Sequence, residues 1–100
     1  MSEYLYKIRL VDRLHQETGW TDIDQNIIER HFDYVKGLTE KGVVILAGKT
    51  LVEDSRTFGI VIFEADSDEK ASEIMTSDPA VAEGIMFGEL FPFHISLTRG

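Results

Sequence analysis

The residue that most restricts how this chain can fold is an acid standing where an apolar side chain is expected. From Ser67 to Ser77 the sequence places Ala71, Ile74 and Met75 at helical spacing, and the next position on that stripe is Asp78. A carboxylate on a helix face that must pack is costly to bury alone, so the fold has to bring it a partner. Asp78 also opens the stretch Asp78-Pro79-Ala80-Val81-Ala82-Glu83-Gly84, in which proline at the first helical position restarts a short turn of helix and Gly84 ends it. Far upstream, Ile27, His31, Tyr34, Val35 and Leu38 make a second helical stripe with an imidazole at its centre. Two helices, each with one ionisable residue on the inward face, are expected to meet as a His31/Asp78 pair.

The remaining periodicities place these helices among strands. Glu3 to Val11 alternates, with Tyr4, Tyr6, Ile8 and Leu10 on one side and Leu5, Lys7, Arg9 and Val11 on the other. Asp12 to Trp20 has no period and reads as a loop. Trp20 is then either a lid over a pocket or an anchor of that loop on the core. Thr21 or Asp22 caps the first helix, which Gly42 ends. Val43 to Ala47 and Phe58 to Ala65 are aliphatic, β-branched runs joined by a polar loop, and so form a hairpin. Ser67-Asp68-Glu69 opens the second helix, and Phe87 to Leu97 is a last strand whose Pro92 suits an edge. The predicted order is β-α-β-β-α-β, an α+β ferredoxin-like domain spanning residues 1–100, with a four-stranded antiparallel sheet and both helices on one face.

That arrangement leaves the second sheet face bare. Val44, Leu46, Val61, Phe63 and Leu90 are expected to make it apolar, so a homodimer packing sheet against sheet follows from the pattern. Eighteen acids against ten bases give a formal charge of −8, which disfavours nucleic acid and anionic membranes as partners. The sequence has no apolar run of about 18 residues and no basic-then-apolar leader, and the expected location is the cytoplasm. With no cysteine, disulfides, thiol catalysis and cysteine-ligated zinc are excluded. Metal-ligand spacings, phosphate loops and nucleotide fingerprints are missing, and no cofactor is expected.

His31 followed by Tyr34, Lys36 and Leu38, then Gly42, Ala47-Gly48, Asp78-Pro79 with Val81 and Gly84, and finally Phe91-Pro92-Phe93, together resemble the YciI-like (YCII-related) family of the dimeric α+β-barrel type. The resemblance covers nearly the whole chain in order. It implies the ferredoxin-like fold, a dimer and a His/Asp active-site dyad. One departure is Lys49 after Ala47-Gly48, where the family commonly has proline, so the loop rimming the pocket is expected to differ.

On the residues themselves the pair has two readings. A carboxylate on one imidazole nitrogen fixes the tautomer and leaves the other free to exchange a proton with a substrate, worth about 10²–10⁴ in rate. Alternatively the pair is a buried histidine bonded to a helix-capping aspartate. The first reading makes the chain a small enzyme for elimination, isomerisation or hydrolysis of a small organic molecule; the second makes it a non-catalytic dimeric module binding a small ligand or a protein. Tyr34, one turn beyond His31, is a candidate for substrate contact. Lys7, Arg9 and Lys49, with Gly48 beside it, would suit a carboxylate or phenolate if they converge on the pocket. No serine lies in a G-x-S-x-G elbow, so acyl-enzyme chemistry has little support.

Overall fold

The computed structural model describes residues 1–99. Its elements are β1 (Ser2–Leu10), two short 3-10 turns (Asp12–His15 and Glu17–Gly19), α1 (Asp22–Glu40), β2 (Val44–Lys49), β3 (Gly59–Ala65), α2 (Asp68–Thr76), α3 (Pro79–Ala82) and β4 (Met86–Pro92). The four strands form one antiparallel sheet in the order β2-β3-β1-β4, the split βαβ arrangement predicted from the periodicities.

Local chemistry sets the helix ends. The Asp24 N–H donates to the Thr21 hydroxyl at 3.2 Å while the Thr21 N–H donates to the Asp24 carboxylate at 3.0 Å, a reciprocal cap that starts α1. At the far end Gly42 takes φ +79°, in the left-handed region, and its N–H returns to the Thr39 carbonyl. The segment read as a loop before α1 winds into its two 3-10 turns because Arg13 grips Asp24 with both guanidinium nitrogens at 2.7 and 2.8 Å. Gly19 is required there, since a Cβ would lie 1.7 Å from the Arg13 carbonyl oxygen.

The strand register decides which residues lie beneath the helices. Tyr4 pairs with Phe63 and Pro92, Tyr6 with Val61 and Leu90, and Ile8 with Gly59 and Gly88. These positions face the helices, and Tyr6 and Phe63 are wholly buried. The Phe63 ring stacks on Tyr4 and meets Tyr6 edge-on, with centroids 5.8 and 5.7 Å apart. Each large side chain buried in this layer contributes about 1.5–3 kcal/mol, with roughly 0.5–1.5 kcal/mol more for an aromatic pair.

Two expectations about the sheet need correction. Of the five residues assigned to its bare face, Val44, Val61, Phe63 and Leu90 pack toward the helices, and Leu46 alone faces away. The reason is charge. The opposite face carries Glu3, Lys7, Arg9, Glu64 and Glu89, which could not lie unpaired beneath α1 and α2. Leu5, Leu46, Ile60, Ile62, Phe87 and Phe91 share that charged face, so the sheet is apolar on both sides. The last strand is also shorter than predicted. It stops at Pro92, which is opposite Tyr4, because β1 has almost no length left to pair with; the N–H groups of Phe93 and Ile95 go to the Glu3 carbonyl and carboxylate instead.

Candidate active site

Asp78 occupies the junction between α2 and α3. Its backbone is extended, Pro79 follows at the first helical position, and its Oδ1 accepts the Ala80 N–H at 3.0 Å. From the sheet the Tyr6 hydroxyl donates to Oδ2 at 2.8 Å. From α1 the His31 Nδ1 approaches both oxygens at 2.7 Å. Three elements therefore converge on one carboxylate that is 0% exposed.

This geometry fixes the tautomer of the imidazole. An ionised carboxylate only accepts hydrogen bonds, so Nδ1 must carry the proton that points at Asp78. Nε2 is left as the nitrogen that accepts a proton when the ring is neutral and donates one when it is charged. Burial, then the charge of Asp78, pushes the Tyr6 hydroxyl far above its ordinary range, and the same two causes raise Tyr34. Tyr6 is thus a permanent donor to the carboxylate at neutral pH. Just beyond the pair, Arg30 and Glu83 form a bidentate ion pair that joins α1 to α3.

His31 is 17% exposed and lines a cleft of about 670 Å³ between α1 and the β2–β3 hairpin. Ile8, Leu10, Ile28, Val35, Val61 and Met86 give the cleft an apolar lining. Phe32 and Phe58 also line it, with Lys36, Thr39, Lys49 and Thr57 as its polar groups.

The candidates from sequence divide clearly. Gly48 and Lys49 share the cleft with His31, because β2 continues through both instead of giving way to a loop at Ala47. Lys7 and Arg9 lie on the charged sheet face, away from His31, where they sit over the rings of Phe58 and Phe87 respectively. Tyr34 points to α2 and donates to the Ile74 carbonyl at 2.7 Å. Trp20 anchors its segment, with its indole N–H on the Leu14 carbonyl, and lines a smaller cleft with Leu14, His15 and Asp54. Sequence reasoning missed Tyr6, Phe32 and Lys36 as parts of the site. Tyr6 carried a usable signal: a buried tyrosine needs a partner for its hydroxyl, and Asp78 was the acid without enough donors. Among the described residues no group of three or more histidine, aspartate or glutamate side chains is placed to hold a metal ion.

Fold and site together define a small ferredoxin-like α+β domain in which helix, sheet and helix cap meet at one buried carboxylate. The chain belongs to the YCII-related domain family, whose model matches residues 9–93. No curated protein matches the sequence. Among solved structures it is similar to 5-chloro-2-hydroxyhydroquinone dehydrochlorinase (TftG) from Burkholderia phenoliruptrix AC1100, in complex with 2,5-dihydroxybenzoquinone. The identity is 18%, over 92% of this chain and 93% of that one, with a TM-score of 0.69. It is also similar to the uncharacterized protein TM1266 from Thermotoga maritima, with 10% identity over 93% of this chain and 98% of that one and a TM-score of 0.55. At these identities the likeness establishes the fold.

Proposed function

We propose that this protein is a small-molecule enzyme in which His31 is the general acid/base and Asp78 its positioning partner. One observation carries the reading: an imidazole held by Nδ1 on a fully buried carboxylate, with its other nitrogen uncommitted among the described residues, lines an apolar cleft. A hydrogen-bonded carboxylate stabilises the imidazolium that forms when Nε2 takes a proton. The reaction class is elimination, isomerisation or hydrolysis of a small organic substrate.

Elimination is favoured among these by the relative whose name is a dehydrochlorinase. In such a step Nε2 removes a proton from the substrate, the electron pair of that bond forms the new double bond, and the leaving group departs with its own pair. Imidazolium then returns its proton to solvent. The alternative, a non-catalytic ligand- or protein-binding module, draws on the capping role of Asp78, which would be needed with or without a substrate.

We propose further that two copies associate through the charged sheet face, where Leu46 is 48% and Phe91 43% exposed.

The test is a panel of chlorinated and hydroxylated hydroquinones and small esters, followed by ultraviolet absorbance and chloride release. Turnover by wild type that falls about 100-fold or more in His31→Gln is expected. Equal turnover by both proteins would overturn the assignment, and a panel that includes no substrate but binds tightly would favour the module.

A further inference from the structure

The charge around the cleft is opposite in sign to that of the chain. Acids outnumber bases by eighteen to ten, yet the cleft is lined by His31, Lys36 and Lys49 and by no aspartate or glutamate. Asp78 lies behind the imidazole, 0% exposed, where three donors occupy it. Among the described residues Lys36 and Lys49 form no ion pair, as Lys7, Arg9 and Lys41 do not, whereas Arg13, Arg30, Arg56 and Lys70 do; of the unpaired cations, Lys36 and Lys49 are the two that line the cleft. Two unpaired ammonium groups beside an apolar lining call for a ligand with an anionic oxygen on an apolar body. Phe32 adds aromatic surface to that lining, which suits a planar ring.

From this we infer that the cleft takes an arene anion, a phenolate or aryl carboxylate, with Lys36 and Lys49 as the residues that select its charge. Resting on the proposed acid/base site, the inference names the class of molecule presented to His31 Nε2. It also gives the lysines a chemical task. They hold negative charge on the ligand oxygen while a proton is exchanged elsewhere on the ring system, and they disfavour neutral competitors of the same shape.

Calorimetric titration of the full chain with benzoate, 4-nitrophenolate and neutral nitrobenzene tests this without requiring turnover. The expected result is that at least one anion binds about tenfold or more tightly than nitrobenzene. Lys36→Met and Lys49→Met should each weaken that anion by about two- to five-fold, and 1 M salt should weaken it in wild type. The relative strength of benzoate and 4-nitrophenolate separates carboxylate from phenolate. Nitrobenzene binding as well as the anions, no binding of either anion, or lysine variants indistinguishable from wild type would overturn the inference. Anion binding with no His31-dependent turnover leaves the charge selection standing and removes the enzyme reading. His31-dependent turnover of a neutral arene, untouched by either lysine variant, does the reverse.

Discussion

The Tyr6 hydroxyl donates to Asp78 Oδ2 at 2.8 Å across 72 positions of sequence, joining the centre of the sheet to the cap of α3 beneath His31. The dyad is therefore seated on the sheet core, and what disturbs Tyr6 is felt at the imidazole. Tyr6→Phe keeps the ring and removes one of the three donors to a buried carboxylate. We expect a loss of about 1–3 kcal/mol in urea denaturation. A midpoint equal to wild type would show that the hydroxyl contributes nothing.

Asp78→Asn retains an oxygen for the Ala80 N–H but places an amide N–H₂ within reach of His31 Nδ1. The imidazole is then expected to switch tautomer, carrying its proton on Nε2 where a base is needed. Nitrogen-detected NMR of the ring should show the exchange, and turnover on any substrate found should fall by about 10²–10⁴. An unchanged tautomer with unchanged turnover would remove Asp78 from the mechanism.

Acid stability is expected to depend on Asp24. The Arg13 guanidinium first, then the Thr21 N–H and hydroxyl, hold its carboxyl well below the ordinary range against the opposing effect of burial. A depressed folded value means stability that is complete above about pH 4 and is lost as the pH falls further. Melting temperatures between pH 6 and pH 2.5 should drop more steeply in wild type than in Asp24→Asn. Parallel curves would contradict this.

At alkaline pH the sign reverses. Tyr4, beside Asp68, the buried Tyr6 and the half-buried Tyr34 all have raised values, so each favours the folded state while protonated. That contribution is complete below about pH 10, the unfolded value, and disappears as the pH rises through the folded values. Phenolate absorbance near 295 nm should lag behind that of denatured protein and then rise together with unfolding. A titration that follows free tyrosine would count against the buried hydroxyl.

The two sheet faces predict different failures. Leu46→Lys and Phe91→Lys place charge on the face proposed for association and should yield folded monomers in sedimentation. Val61→Lys, at a position 2% exposed beneath the helices, should unfold the chain. Dimers persisting in both surface variants would exclude that interface.

The order of elements was legible because each segment had a clean period and a cap or glycine at its end. His31 and Asp78 were legible as a pair because both interrupt apolar stripes. Which face of the sheet is covered was also decidable, since Lys7, Arg9, Glu64 and Glu89 each fall on the alternate side of their strands, which cannot lie under helices. What sequence alone concealed was long-range: the partner of the Tyr6 hydroxyl, the turn of Tyr34 toward Ile74, and the assembly of Lys36 with Lys49. These depend on how α1 lies across the hairpin, which no local pattern encodes.

The pairing of β2 with β3 slips by one residue between Val44 and Leu46, where Ile45 is accommodated as a bulge. Before the slip even-numbered side chains point to the helices; after it odd-numbered ones do, which sends Leu46 outward and brings Ala47 and Lys49 in. A single residue of chain length thus acts as a parity switch for the hairpin. Deleting Ile45 would close the bulge and leave Val44 opposite Phe63 and Leu46 opposite Ile62 in an unbroken ladder, with Leu46 still outward and Lys49 still at the cleft, whereas keeping Ile45 but forcing it into the ladder would turn Leu46 inward and take Lys49 from the cleft.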